Sequence, residues 1–420
     1  MPKRISPLGL LLLLTGLNLF NYLDRYILSA VRTPLAGELG IGYGDSGRLF
    51  TGFMFGYFIT SPLFGFWGDR GARKWLIAAG IFVWSLGTVL SGWAGDFRQL
   101  LLFRVLVGIG EASYASISPG LISDAWEPDR RNNALSVYYT AIPIGCALGF
   151  ILGGIIAAHW GWRYAFYLAG APGLLLALAV LPFREPERGE SEAANSPMVS
   201  KPGPMDLLRL FGNRRYTLAV GGYIAYTFAL GAFSFWGPTF LEKVHHLSTA
   251  KADTLFGGII IGTGLSGTLA GGVLATYWKK KQAAGYAWLI SSSTLAAIPF
   301  SFLALTAART DITIAMLTGS IFLLFMCTGP VNTLILESVP VNLRSSAMAF
   351  SIFLIHLFGD LWSPEIVGRL ADSLGNLQRS MLILPMTVMV SGLLWFGLGL
   401  KMKNEDGLPR VRLKMGDPQV

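Results

Sequence analysis

Charged residues inside long apolar runs are the ones whose chemistry needs explaining. The stretch NYLDRYILSA (21–30) sets Asp24 beside Arg25 directly after GLLLLLTGLNLF. RVLVGIGEASYASISPG (104–120) carries Arg104 and Glu111 seven residues apart, two helical turns, so they share one helix face. HLFGD (356–360) puts His356 and Asp360 four apart on one face, and Arg48 stands near the end of another apolar run. A charge within a membrane span costs about 2.5–3.5 kcal/mol on insertion scales, so such residues face a cavity or a partner. Desolvation strengthens a carboxyl's hold on its proton, and a neighbouring arginine weakens it. Asp24 and Glu111 are therefore candidate proton-coupling residues. Arg25 and Arg104 would pair with them or with a charged substrate. The competing reading is a structural buried ion pair.

Such charges matter only if the chain spans a membrane, and its composition says that it does. Of 420 residues, 53% are hydrophobic and 14% charged, against about 25% charged in soluble domains. Glycine, at 51 residues, is abundant, as expected where helices cross closely in lipid. The net charge of +9 is scattered over short loops and does not point to nucleic acid. Cys146 and Cys327 fall in apolar segments and read as core residues. The histidines, His159, His245, His246 and His356, form no metal-ligand cluster. There is no HExxH and no Walker loop. A His-x4-Asp acyltransferase box would need one more residue than HLFGD has. Neither an enzyme, a metal site, a cofactor nor an ATP-driven pump is expected.

Windows of about 20 apolar residues place spans near 8–30, 47–67, 75–94, 98–121, 133–157 and 162–182. Six more follow near 216–240, 251–277, 284–305, 312–335, 345–368 and 379–401. The first run shows no small-residue cleavage site before NYLDRY and reads as a retained span. The stretch REPERGESEAANSPMVSKPGPMD (184–206) reads as a solvated linker. The organisation expected is an N-terminal bundle (1–183), a cytoplasmic linker (184–213), a C-terminal bundle (214–403) and a cytoplasmic tail (404–420). With the N-terminus inside, most of the 33 Lys and Arg lie on the inner side. The halves repeat. FGFWGDRGARKW (64–75) follows span 2 and GGVLATYWKKKQ (271–282) follows span 8, aligning Gly65 with Gly272 and Arg73 with Lys280. DAWEPDRRNNAL (124–135) and ESVPVNLRSSAM (337–348) follow spans 4 and 10, aligning Asp124 with Glu337. Two six-span repeats point to alternating access around a midplane site.

GFWGDRGARK resembles the hallmark loop between spans 2 and 3 of the major facilitator superfamily, with Ala72 where that family usually has Gly. The resemblance covers the whole chain. It implies the twelve-helix, all-α membrane fold of two pseudo-symmetric six-helix bundles, with spans 1, 4, 7 and 10 lining a cavity. It also implies a cytoplasmic gate at Gly65, Asp69, Arg70, Arg73 and Lys74. Spans 2 and 11 approach each other outside in that family, so an extracellular gate is expected where Arg48 meets Asp360, beside His356. The Gly-rich stretches GCALGFILGG (145–154) and GTGLSGTLAGG (262–272) fall in spans 5 and 8, which meet across the family's pseudo-two-fold axis.

NYLDRY and RVLVGIGEASYASISPGLISD (104–124) are similar to the Spinster branch of that superfamily. The resemblance implies transport of lysophospholipid or sphingosine-1-phosphate, with proton linkage in some members. It carries Asp24, Arg25, Arg104 and Glu111 over as functional positions. The residues independently favour an amphipathic substrate, because span 7 is uncharged and aromatic. Tyr223, Tyr226, Phe228, Phe233, Phe235 and Trp236 there, with Phe322, Phe325 and Met326 of span 10, are candidate lipid-tail contacts; the competing reading is helix packing. The function expected is a proton-coupled carrier of amphipathic lipids, acting as a monomer and touching membrane lipids, protons and its substrate. The alternative is a proton-coupled multidrug exporter. Short loops and the lack of an Asn-x-Ser/Thr sequon fit a bacterial inner membrane.

Overall fold

A backbone in lipid must satisfy its own polar groups, and an apolar run of this length does so as a helix. A computed structural model describes residues 3–4, 6–70, 72–186, 210–339 and 344–406. Among these, twelve helices are long and apolar enough to cross a membrane. Spans 1 to 6 are Pro7–Ala30, Tyr43–Gly68, Arg73–Trp93, Phe97–Ile122, Val137–Trp160 and Trp162–Val180. Spans 7 to 12 are Arg214–His245, Thr249–Lys281, Gly285–Thr306, Thr310–Glu337, Phe350–Leu374 and Leu377–Glu405. Most of the expected linker and tail lie outside the described residues.

Local chemistry sets the ends. Ser6, Asp96 and Asn213 cap spans 1, 4 and 7 by accepting from the backbone N–H of Gly9, Gln99 and Arg215. Gly161, at φ +93°, turns the chain between spans 5 and 6, a conformation glycine adopts without strain. Span 10 is broken into Thr310–Phe325 and Thr328–Glu337, and span 11 contains a π-helical turn at His356–Asp360. The departure from an all-helical chain is a two-residue parallel pair, Lys3–Arg4 with Phe183–Arg184.

The repeat reappears as packing. Spans 1 and 5, 2 and 4, and 3 and 6 pack together in the first half; spans 7 and 11, 8 and 10, and 9 and 12 do so in the second. It reappears in charge as well. Arg73 Nη1 lies 2.5 Å from Asp124 Oδ2, and Lys279 Nζ lies 2.6 Å from Glu337 Oε2. The pair in the second half thus uses Lys279, one residue before the Lys280 that the sequence alignment matched to Arg73.

The halves meet through spans 2 and 11, 5 and 8, and 1 and 7. Call the side where span 1 begins the terminal face. Every hydrogen bond that joins described residues of the two halves lies in the other, opposite part of the molecule. Tyr43 and Gly44 donate backbone N–H groups to Asp372 at 2.9 and 2.7 Å. Arg48 Nε reaches Glu365 Oε1 at 3.3 Å, Thr51 donates to Leu361 O, and Ser29 donates to Phe235 O. On the terminal face Arg73 pairs with Asp124 and the Lys74 ammonium donates to Leu181 O, both within the first half. Arg73 also donates to Pro186 O, and the Lys74 N–H donates to Glu185.

The small residues of span 5 do two jobs, only one of which was expected. Gly145 and Gly149 admit span 1, since a Cβ on either would stand 2.6 or 2.5 Å from the carbonyl oxygens of Leu19 and Leu23. Contact with span 8 falls to Gly154 against Asp253, and to Ala147 and Ile151 against Gly257. The tightest approach of this kind between spans 2 and 4 is at Gly108, whose Cβ would lie 1.9 Å from Phe53 O. Gly108→Ala is expected to destabilise the protein by about 1–3 kcal/mol through overpacking. Gly16→Ala, with nothing within 4 Å, is the neutral comparison. Thermal unfolding in detergent measures both, and equal midpoints would contradict this packing.

Candidate functional site

Span 1 runs away from the terminal face and span 4 runs back toward it, and each carries an acid and a base. Neighbouring residues on a helix point about 100° apart, so Asp24 and Arg25 leave span 1 in different directions. Asp24 turns to spans 3 and 4. Its Oδ1 lies 3.6 Å from Arg104 Nη1, and its Oδ2 accepts a hydrogen bond from the Thr88 hydroxyl. Arg25 turns to spans 2 and 4. Its Nη2 and Nε donate to Glu111 Oε2 at 2.7 and 3.2 Å. Helical side chains lean toward their own N-terminus. That lean lets the long Arg25 reach back to Glu111, two turns nearer the terminal face than Arg104.

The four sequence-predicted residues are thus brought together as two crossed pairs, Asp24 with Arg104 and Arg25 with Glu111. Asp24, Arg104 and Glu111 are no more than 1% exposed. Arg25 is the exception, with 13% of its side chain accessible. The Arg25 guanidinium sits 4.8 Å from the ring centre of Tyr22, 5.0 Å from that of Phe53 and 5.3 Å from that of Tyr57. These distances suit cation–π attraction, about 0.5–2 kcal/mol according to desolvation. Phe53 also lies near Arg104, at 5.5 Å, so both cations approach one ring. The pairs differ in quality. The Arg25–Glu111 contact is a good hydrogen bond, whereas the Asp24–Arg104 contact is long. It leaves Asp24 Oδ1 and the Arg104 Nη1 and Nε groups without a hydrogen bond among the described residues.

Across the interface, His356 Nδ1 approaches the two Asp360 carboxylate oxygens at 2.9 and 3.1 Å. Their π-helical turn packs on span 7, where a Cβ on Gly231 would lie 2.6 Å from Asp360 Cβ. Such turns often mark functional positions. The expected Arg48–Asp360 gate contact is not formed. Arg48 instead bonds Asp45 and Glu365, and Glu365 also holds Arg369. The reason is level. Arg48 is five residues from the start of span 2, about 7 Å deep, while Asp360 is fourteen residues from the end of span 11, about 21 Å deep. Glu365 is the acid at the right height, and the close backbone crossing at Gly47 brings it there.

The remaining expected positions divide. Gly65 has open space around it, and the side chains of Asp69 and Arg70 lie outside the described residues. Tyr226, Phe233, Trp236 and Met326 are buried. Tyr226 donates to Leu324 O and Trp236 to Pro364 O, so packing uses both. Tyr223, Phe228 and Phe325 stay partly open. Sequence reading missed Thr88, Glu365 and Asp372. No spacing rule singles out a threonine, and both acids sit where a helix end was expected. Among the described residues no group of three His, Cys, Asp or Glu could hold a metal.

Twelve spans in two repeated halves, with paired charges buried between helices, define a membrane transport protein rather than an enzyme. The comparisons name the group: residues 14–364 match the model of the Major Facilitator Superfamily. The chain belongs to that superfamily and, within it, to the Spinster family. It is 30% identical to the "Probable sphingolipid transporter spinster homolog 1" of Arabidopsis thaliana, over 96% of this chain and 90% of that one. It is 36% identical to "Protein spinster homolog 1" of Bos taurus, over 85% and 72%. Its fold matches the crystal structure of a bacterial homolog of the human lysosomal transporter Spinster, inward-facing and unoccupied. The TM-score is 0.87 at 22% identity, covering 97% of this chain and all of that one. A D-xylose–proton symporter matches with a TM-score of 0.73 at 18% identity, over 92% and 97%.

Removing one member of a buried pair leaves an uncompensated charge, at a cost of about 3–5 kcal/mol. Glu111→Leu should therefore lower the unfolding midpoint strongly, because Arg25 cannot shed its charge. The double variant Arg25→Leu/Glu111→Leu should recover more than half of that loss. A double variant less stable than Glu111→Leu alone would mean that the pair is not what holds spans 1 and 4 together.

Proposed function

We propose that the chain is a proton-coupled carrier of lysophospholipid- or sphingosine-phosphate-like lipids, working by alternating access. The observation that carries the reading is the crossed set Asp24–Arg104 and Arg25–Glu111, buried at membrane depth between spans 1 and 4. Each carboxyl is balanced by an arginine that can also pair with an anionic headgroup. If a phosphate-bearing lipid competes for Arg25, Glu111 loses its partner and is better satisfied by a proton. Substrate and proton are then linked through one guanidinium. Arg104 stands in the same relation to Asp24. The partly open Tyr223, Phe228 and Phe325 offer an apolar wall for the acyl chain. The curated relatives named as sphingolipid transporters support this substrate class.

In this reading the opposite face is extracytoplasmic and the termini are cytoplasmic, as the Lys/Arg distribution favours, in a bacterial inner membrane. Arg48–Glu365 and the Asp372 contacts with the start of span 2 close the extracytoplasmic side. Arg73, Lys74, Asp69 and Arg70 belong to the cytoplasmic side. His356 and Asp360 face the cavity rather than the outer gate. The carrier works as a monomer.

Lysolipid movement in proteoliposomes, with and without a pH gradient, tests the main claim. Wild-type flux should rise with the gradient, and Asp24→Asn and Glu111→Gln should abolish that rise. Gradient-independent flux in all three would make the carrier a uniporter. Flux of a lipophilic cation without any lysolipid flux would reassign it as a drug exporter. The outer closure has its own test. Asp372 caps the N-terminus of span 2 from the other half, and losing such a cap costs about 0.5–2 kcal/mol. Asp372→Ala should shift the halves toward parting on the extracytoplasmic side by that amount, read from distances between spin labels. An unchanged distance distribution would exclude a closing role.

A further inference from the structure

Asp253 lies four residues into span 8 and faces span 5 across the boundary between the halves. It is 1% exposed. Neither carboxyl oxygen has a hydrogen-bond partner among the described residues. Its Oδ2 would be 2.4 Å from a Cβ on Gly154, so the carboxyl is pressed against the bare backbone of span 5. The rest of the seam is apolar. Gly257 packs on Ala147 and Ile151, and the Phe150 and Phe256 rings meet edge to face at 5.2 Å.

Among the described residues no cation forms an ion pair with Asp253. On its own helix, Lys251 is exposed. Span 7 presents Glu242, an acid, which acts on Asp253 electrostatically. Lys243 beside it is largely exposed and lies 3.8 Å from Glu242. His245 meets Phe240 edge to face and lies 3.4 Å from the Thr310 hydroxyl, while His246 ends the helix. Span 5 contributes His159, exposed and bonded to Ile155 O. The turn into span 10 contributes Arg309 and Asp311, exposed and paired with each other. Beyond span 1, Arg32 lies over the Tyr43 and Trp236 rings at 4.2 and 5.2 Å.

An ionised carboxylate without countercharge or hydrogen bonds is strongly disfavoured in such a seam, whereas the neutral acid is tolerated. A metal ion would need several oxygen ligands, and the described residues supply no such cluster. We propose that Asp253 is a second proton-binding site, separate from the Asp24–Glu111 set, occupied while spans 5 and 8 are packed and emptied when they part. On parting, water reaches the carboxyl, its O–H proton passes to that water, and the carboxylate stays hydrated. The direction of linkage follows. The packed state holds the proton, so acid favours packing and a rise in pH favours parting. A single proton changes the ratio by at most tenfold per pH unit.

This inference rests on the alternating-access reading, and its test separates the two. Trp160→Cys ends span 5 and Leu374→Cys ends span 11; both positions are exposed, while native Cys146 and Cys327 are buried. Spin labels on this pair in the full chain report parting of the halves as pH is varied. The wild-type ratio of parted to packed protein should climb with pH. Asp253→Asn and Asp253→Ala should each remove up to tenfold per pH unit from that climb, and Asp24→Asn should keep the Asp253-dependent part. Two variants guard against one failing to fold. If both Asp253 variants follow the wild type at every pH, the second site is rejected. Gradient-driven flux that still depends on Asp24 would then leave the carrier standing. If the wild-type labels never separate at any pH, alternating access at this seam fails and the proposal fails with it.

Discussion

Side chains one apart on a helix leave it about 100° apart and cannot neutralise each other, and the arrangement of the first half depends on that constraint. Asp24 and Arg25 look like a self-neutralising pair on paper. In the helix they diverge, and each needs a counterion from span 4. Span 4 supplies both from one face because Arg104 and Glu111 are two turns apart. The result is a lattice of two pairs with both cations close to the Phe53 ring. Spans 1 and 4 are tied at two heights, so neither pair can be broken without changing the field at the other. The proposed coupling of proton and substrate would run through this lattice.

The second half is built by the same packing scheme with different contents. Spans 7, 8 and 10 replace the buried ion pairs with aromatic rings and hydroxyls bonded to backbone, as in Tyr226 with Leu324 O. Three of its ionisable groups lie near the boundary: His356 and Asp360 on a π-helical turn, and Asp253 on the seam with span 5. The repeat therefore supplies a scaffold with matching helix contacts, and the chemistry on it is asymmetric. Even the terminal-face clamps differ in register, Arg73 with Asp124 against Lys279 with Glu337.

Much of this was legible before any coordinates. All twelve spans are where the apolar windows put them, within a few residues at most ends, because hydrocarbon thickness fixes helix length. The two halves and the four central charges were legible for a related reason, since a charge in an apolar run stands out. Partner choice was less so: composition names Asp24 and Arg104, but which acid meets which base depends on helix rotation. The gate prediction failed on depth. The sequence reading sets Asp360 near the level of Arg48, while the acid that Arg48 meets is Glu365, five residues further along span 11. Asp253 was overlooked, being only a few residues from the expected start of span 8. The glycines of span 5 were readable as a close-packing stripe, yet spacing alone could not say that Gly145 and Gly149 face span 1 and Gly154 faces span 8.

The contacts fall into an energetic order that suits a moving molecule. Within the first half, the buried pairs would cost about 3–5 kcal/mol to break one-sidedly, which ties its helices together. Between the halves the hydrogen bonds are few and many use backbone groups: Asp372 on the Tyr43 and Gly44 N–H, Thr51 on Leu361 O, Ser29 on Phe235 O. Each is worth about 0.5–1.5 kcal/mol net, because water can take its place on separation. A boundary of replaceable bonds closing two stiff bundles can open at modest cost, and small changes in charge there are enough to bias it. The placement of the boundary acids, Glu365 nearly buried and Asp372 exposed, away from the fully buried pairs kept inside one half, is consistent with that order.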